Sequence, residues 1–184
     1  MGWRHFAIVT WLAAVMAQAA GGLPAAPEGF SWVRLREIRA DLLQPAGWKL
    51  SRERKGTSET YRLSAPGPGR TNGPAMDINW VPDVPKQAGM APSQYAAGVA
   101  DAAAKNHKLV ERADGKPGAI SRTTFRFEDS GPGREGWTVS YQLIANDRTG
   151  SLYIMAFEAP TREWTNAWKT GAVLMERVRL DPAR

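Results

Sequence analysis

One segment near the carboxyl end of the chain, "SLYIMAFEAP" from Ser151 to Pro160, restricts the possible folds more than any other. In a strand, successive side chains point to opposite faces of the sheet. Apolar side chains fill both faces here: Leu152, Ile154 and Ala156 on one, Tyr153, Met155 and Phe157 on the other. A strand that is apolar on both faces lies in the interior of a sheet that is covered on each side. The segment therefore predicts a central strand between two covering layers.

The next segment, "REWTNAWKTGAVLMERVRL", has the period of a helix. Its apolar residues form one continuous stripe: Trp164, Ala167, Trp168, Gly171, Leu174, Met175 and Val178. We interpret Trp164 and Trp168 as core residues and not as the wall of a ligand site, because aromatic side chains on such a stripe supply buried area. Gly171 is expected to let the helix approach the sheet closely. Thr161 is predicted to be the N-cap of this helix.

The rest of the chain predicts one more long helix and several strands. The helix is "APSQYAAGVADAAAKN", whose apolar stripe is mainly alanine, so its stability should come from docking onto the sheet. Hairpins are predicted around Lys55-Gly56 and at Asn146–Gly150, where turn residues separate alternating strands. The strand "PAMDINWVP" places Asp77 and Asn79 on a polar face, which we interpret as exposed to solvent.

The first 19 residues have the three parts of a secretory signal peptide. Arg4 precedes an apolar run that ends at the small-residue site Ala17-Gln18-Ala19, which predicts cleavage after Ala19. The run is shorter than a bilayer-spanning helix, so we expect no stable membrane insertion. Residues 20–29 are predicted to be a flexible linker, and residues 30–184 a single domain. The mature protein is then expected in the periplasm or secreted into the medium.

Several kinds of chemistry lack the residues that they need. The chain has no cysteine, which excludes disulfides, zinc–thiolate sites, cysteine nucleophiles and a lipid-anchoring cysteine. His5 lies in the signal peptide, and His107, at the predicted end of a helix, is interpreted as a partner of the helix dipole and not as a catalytic base. No metal or cofactor motif is present, so we predict neither. Asp77 could join a second carboxylate, as a hydrolase would require, but a solvated face is the better interpretation.

The formal net charge is +6, and the two signs are mixed along the chain. Such mixing argues against a nucleic-acid partner, which needs a basic stripe or patch. The densest basic group is Arg52, Arg54 and Lys55, at the tip of the first predicted hairpin. These three residues are the candidate surface for a partner or an anion. The alternative is a solvated tip, because charges are usual at turns.

Five segments follow one another in the order of a known family. "ADLLQPAGWKL" is similar to an "lPxGW" strand, "MDINWVP" to the strand before the first helix, and "APSQYAAGVADAAAK" to that helix; "GSLYIMAFEAP" and the closing helix come last. Residues 40–180 thereby resemble the PsbP-like family, which comprises the extrinsic photosystem II proteins and bacterial DcrB-like periplasmic relatives. The resemblance implies an α+β fold, an α/β/α sandwich with a central, mainly antiparallel sheet covered by helices. It also implies a non-enzymatic protein that acts through protein partners.

Three hypotheses of function follow. The first is an exported, non-enzymatic binding or accessory domain for a protein partner in the cell envelope. The second is a domain that binds a small anionic ligand or a lipid through Arg52, Arg54 and Lys55, and the third is a hydrolase. The motifs that carry the resemblance are structural, so no functional residue is transferred from the family to this chain.

Overall fold

The computed structural model describes residues 22–55, 58–67, 73–115, 118–129 and 136–181. The predicted signal peptide and its cleavage site at Ala19 lie outside these residues, as does the turn at Gly56. The strands are β1 (Phe30–Leu35), β2 (Ala40–Pro45), β3 (Lys49–Lys55), β4 (Ser58–Ser64), β5 (Ala75–Val81), β6 (Leu109–Asp114), β7 (Ile120–Asp129), β8 (Trp137–Asn146), β9 (Ser151–Pro160) and β10 (Arg179–Leu180). The helices are α1 (Val84–Ala88), α2 (Pro92–Asn106) and α3 (Trp164–Arg177), with a 3-10 turn at Thr161–Glu163.

Seven strands form one sheet in the order β3-β4-β5-β9-β8-β7-β6. Each neighbouring pair is antiparallel. β9 is the middle strand, as its two apolar faces predicted, and Leu152, Met155 and Phe157 are completely buried there. The predicted hairpins are also present, as β3–β4 and β8–β9. The α+β prediction with a central antiparallel sheet is confirmed.

One face of this sheet is covered by α3 together with a second sheet of three strands, in the order β1-β2-β10. The sequence pattern did not predict the second sheet, because its third strand has only two residues. Leu42 and Leu43 of β2, Leu174 of α3, and Met76 and Ile78 of β5 are all almost completely buried and belong to one hydrophobic cluster. The small sheet therefore completes the layer that α3 alone is too narrow to form.

α3 approaches the large sheet closely at Gly171, as predicted. A Cβ atom at this position would lie 2.7 Å from two ring carbons of Phe157. Trp164 and Trp168 stack with their ring centroids 5.0 Å apart. Each also forms a T-shaped contact with the ring of Phe157, with centroids 5.9 and 5.8 Å apart. Both tryptophans are half-buried and pack against the core, in agreement with the interpretation of the stripe as a packing surface.

The predicted N-cap of α3 was wrong. Thr161 begins the 3-10 turn, and α3 begins only at Trp164. The Thr161 backbone N–H donates to Gly136 O at 2.8 Å, and its hydroxyl lies 3.1 Å from the Thr138 hydroxyl. β9 runs beside β8 as far as Pro160. Thr161 is the next residue, so its hydrogen bonds go to the start of β8 and not to the N-terminus of α3.

α1 and α2 lie on the opposite face and cover only part of it. α2 buries Ala96 and Ala100 against Phe125 and Leu143, so its contact surface is alanine, as predicted. It lies over β7, β8 and β9. None of the helices in the described part of the chain has the length and hydropathy needed to cross a bilayer. The same face of β3, β4 and β5 has no helix above it among the described elements.

Candidate functional site

The half of the sheet that α2 leaves uncovered is polar. Paired residues on neighbouring strands lie side by side on the same face, so the register defines rows across the sheet. One row runs from β3 to β7 through Ser51, Arg62, Asp77, Ala156, Tyr141 and Phe125. The next row runs from β3 to β8 through Glu53, Thr60, Asn79, Ile154 and Leu143. Each row is polar on β3–β5 and becomes apolar where α2 covers it.

The polar parts of these rows line an open groove with a volume of about 900 Å³. Ser64, Val139 and Glu158 come from a third row, and Asp129 and Trp137 close one end. The walls therefore come from strands that are far apart in sequence. The floor is the backbone of a seven-stranded sheet, which gives the groove a rigid base.

Arg62 lies in the groove between two carboxylates. Its Nη1 donates to Asp77 Oδ2 at 2.5 Å, and its Nη2 donates to Glu158 Oε1. These three side chains are 24% to 31% exposed. Beside them, the Thr60 hydroxyl donates to Asn79 Oδ1. The polar groups of the groove are thus held in a fixed network that remains open to solvent.

The electrostatics of the groove follow from partial burial. Burial raises the pKa of Asp77, although the charge of Arg62 opposes this. Burial lowers the pKa of Arg62, but the hydrogen bond to Glu158 and the charge of Asp77 outweigh it, so the net shift of that pKa is upward. Burial, and then the charges of Glu158 and Asp77, raise the pKa of Tyr141. The Tyr141 hydroxyl therefore lies in a negative electrostatic field, although the groove also contains Arg62.

Charge in the groove is unbalanced. Four carboxylates line it, those of Glu53, Asp77, Asp129 and Glu158, against the guanidinium of Arg62. Arg52 also reaches the rim, but its guanidinium is 5.7 Å from the Tyr61 ring centroid, on the opposite face. The groove is acidic on a protein whose overall charge is +6. Its electrostatic complement is a cationic group.

The structure places the predicted anion surface among carboxylates. Arg52 Nε and Nη2 donate to the two oxygens of Glu59 at 2.6 and 2.8 Å, and Nη1 donates to Glu37 at 2.8 Å. Arg54 Nε lies 3.5 Å from Glu59, and the side chain of Lys55 lies outside the described part of the structure. The hydrogen bond from Arg52 lowers the pKa of Glu59. An anion at this hairpin would have to displace two carboxylates from Arg52.

His107 is a packing residue. Its ring stacks on Phe127 with centroids 4.1 Å apart and planes inclined by 13°. It follows the last residue of α2, and its N–H donates to Ala103 O at 2.8 Å. Within the described ranges, no group of three or more histidine, aspartate or glutamate side chains is arranged to hold a metal ion.

Sequence reasoning interpreted Asp77 as part of a solvated face and did not bring it together with Glu158. The two meet at Arg62 only because β5 pairs with β9. One signal was available: Glu158 is the only charged residue in the otherwise apolar strand "SLYIMAFEAP". An acid in the central strand indicates that part of one face is not covered by core.

No protein-family model matches the chain, and no curated protein sequence matches it. Solved structures do. Cyanobacterial PsbP (CyanoP) from Synechocystis sp. superposes with a TM-score of 0.51 at 12% identity, covering 90% of this chain and 99% of CyanoP. The Ran-binding protein Mog1p from Saccharomyces cerevisiae superposes with a TM-score of 0.51 at 11% identity, covering 82% of this chain and 95% of Mog1p.

The chain has a PsbP-like fold. The sequence resemblance is therefore confirmed at the level of fold, and Mog1p has the same architecture. LpqN from Mycobacterium tuberculosis, described as involved in cell envelope biogenesis, matches with a TM-score of 0.48 at 16% identity, over 81% of this chain and 88% of LpqN. At 11% and 12% identity, the matches to Mog1p and CyanoP establish the fold alone, and the groove itself must indicate what this chain binds.

Proposed function

We propose that this chain is an exported, non-enzymatic binding domain that holds a basic segment of a protein partner in the cell envelope. The observation that carries the proposal is the acidic half of the sheet face that no described helix covers, where four carboxylates and the guanidinium of Arg62 line the groove. A groove of about 900 Å³ with a fixed floor suits a peptide segment that brings lysine or arginine side chains. Mog1p, which shares this fold, is a Ran-binding protein. By analogy of fold only, this supports a role in protein binding.

The groove offers a mixture of contacts that a protein segment would use. Glu53 and Asp129 are exposed carboxylates at its margins, where they can attract a cationic partner. Trp137, half-buried at one end, provides an aromatic surface, and aromatic residues are enriched at protein interfaces. Thr60 and Asn79 supply hydrogen-bonding groups in between. Charge at the margin would guide the encounter, and the inner polar groups would fix the register.

The same geometry favours binding over hydrolysis. A hydrolase that uses two carboxylates needs one as an acid and the other as a base or nucleophile, both facing the substrate. Here the carboxylates of Asp77 and Glu158 both accept hydrogen bonds from Arg62. The guanidinium occupies the space between them. The two groups are therefore bound to the protein and not directed at a ligand.

Export is the second part of the proposal, and it depends on the N-terminal sequence. Intact-mass measurement of the protein recovered from the periplasm or medium tests it. We expect a chain that begins at residue 20. A mass that retains residues 1–19 would contradict export with cleavage.

The groove is tested by site-specific photo-crosslinking in cells that express the protein. A crosslinker at position 51, in the groove, should trap one discrete partner, whereas a crosslinker at position 165, exposed on α3, should not. The double variant Glu53→Lys/Asp129→Lys reverses two groove charges outside the arginine network and should abolish that product.

The matched control is Glu128→Lys/Glu176→Lys. It makes the same change in charge at exposed residues outside the groove, and Glu128 is the neighbour of Asp129 on the other face of β7. The control should crosslink like the unmodified protein. The proposal fails if position 51 traps nothing, or if the groove and control variants behave alike.

A further inference from the structure

A second charged surface lies on the small sheet, on the other side of the molecule from the groove. It is a depression of about 500 Å³ lined by four arginines and two aspartates. We name it the arginine patch: Arg34, Arg36, Arg39 and Arg179, with Asp41 and Asp181. Four positive charges against two negative ones leave an excess of two, within one concave surface.

The strand register places three of these side chains in one row. Asp41 of β2 pairs with Arg34 of β1 on one side and with Arg179 of β10 on the other. Their neighbours Leu35 and Ala40 are buried beneath the small sheet. Because side chains alternate along a strand, the charged row must point outward. β10 has only two residues, and its pairing with β2 places Arg179 in this row.

The turn between β1 and β2 contributes the other two arginines, and the side chain of its one acidic residue, Glu37, points away from the depression. Of its four residues, Ile38 is completely buried, and Glu37 accepts hydrogen bonds from Arg52 and Tyr61 at 2.8 and 2.7 Å. Arg36 and Arg39 remain exposed. The turn therefore presents only cations to the depression.

Within the described ranges, one arginine of the patch is in an ion pair and the other three are not. Arg34 forms a two-pronged pair with Asp41 at 2.7 and 3.1 Å. Among the described residues, no ion pair includes Arg36, Arg39 or Arg179. Like charges held close together repel one another, and an anion placed between them removes that repulsion.

We infer that the arginine patch binds a phosphate monoester group. Guanidinium groups match phosphate oxygens through paired, charge-assisted hydrogen bonds. A phosphate monoester carries a charge of about −1.5 to −2 near neutral pH, which balances the excess of two. Neither the sequence motifs nor the groove identify this surface. It is distinct from the Arg52 hairpin, where the arginine already donates to two carboxylates.

Titration calorimetry at low salt tests the inference with inorganic phosphate and with glycerol 3-phosphate. Co-sedimentation with vesicles of phosphatidylcholine that contain phosphatidic acid presents the same monoester on a lipid. Arg36→Gln/Arg179→Gln should weaken binding about tenfold or more, the effect of losing one good charge-assisted contact. Both side chains are exposed and free of carboxylate partners among the described residues, so the melting temperature should not change.

The control Lys86→Gln/Lys108→Gln removes the same charge from exposed residues elsewhere and should bind within about twofold of the unmodified protein. Arg36→Lys/Arg179→Lys keeps the charge but loses the planar fork, and it should bind more weakly than the unmodified protein. Calorimetric binding would identify a soluble ligand, and binding to the vesicles alone a lipid headgroup. The inference is overturned if no probe binds, if the control weakens binding equally, or if the lysine variant binds unchanged.

Discussion

The contact between Gly171 and Phe157 gives the sharpest test of how the layers pack. Gly171→Ala adds a methyl group 2.7 Å from two ring carbons, whereas unstrained carbon atoms stay about 3.5 Å apart or more. Phe157 is completely buried, and Trp164 and Trp168 hold its edge, so the ring cannot move away. Overpacking costs about 1 to 3 kcal/mol, and we expect the upper end. Since alanine is about 1 kcal/mol better than glycine in a helix, the net loss should be about 2 kcal/mol.

Gly98→Ala in α2 is the matched control, because a Cβ atom there meets nothing within 4 Å. It should gain about 1 kcal/mol, so the free energies of unfolding of the two variants should differ by about 3 kcal/mol in urea denaturation. Adding Phe157→Leu to Gly171→Ala should recover part of the loss, as a non-additive coupling. If Gly171→Ala proved as stable as Gly98→Ala, the close approach of α3 would be refuted.

Three further predictions concern the core and its polar contacts. Trp168→Ala should cost about 2 to 3 kcal/mol in urea melts, less than a fully buried aromatic, and a loss below about 0.5 kcal/mol would contradict its packing role. Tyr153→Phe should cost about 1 to 3 kcal/mol, because the Tyr153 hydroxyl donates to the Ile38 carbonyl at 2.6 Å in the core; an unchanged melt would exclude this bond. The hydrogen bond from Arg52 lowers the pKa of Glu59 below its usual value of 4.5. The ionised Glu59 carboxylate therefore stabilises the folded protein above pH 4.5, and this stabilisation is lost as the pH falls below 4.5. The melting temperature should therefore fall more between about pH 6 and about pH 3 in the unmodified protein than in Glu59→Gln, and equal slopes would argue against the pairing.

Features that depend on one strand or helix could be predicted from the sequence. The two apolar faces of β9 predicted its place in the middle of the sheet, and the position of Gly171 in the stripe of α3 predicted the close approach to the sheet. Thr161 was misassigned because its local pattern is that of an N-cap, whereas pairing with β8 decides its hydrogen bonds. At Thr161, hydrogen bonds to the neighbouring strand outweigh the local preference for an N-cap.

The candidate surfaces depend on pairings between distant segments, and this is why the sequence did not predict them. Asp77 and Glu158 meet through the register of β5 and β9. The sequence shows Arg52 as one of three cations in a hairpin, but Glu59 of the paired strand and Glu37 of the turn between β1 and β2 both accept hydrogen bonds from it. Arg179 joins the arginine patch only because two residues after α3 pair with β2. Charge is visible in the sequence, but its neutralisation is decided in the folded protein.

The two border strands of the large sheet, β3 and β6, each have one side without a partner strand in the described structure. Both carry many ionic side chains: Lys49, Arg52, Glu53 and Arg54 on β3, and Glu111, Arg112 and Asp114 on β6. β6 is also irregular, with a bulge between Leu109 and Glu111. A strand from a second molecule would have to dehydrate these groups to extend the sheet, and charged or bulged borders discourage such growth. The chain has no cysteine, so no disulfide restrains the fold. The charged borders therefore protect the protein against fibrous self-assembly at high concentration.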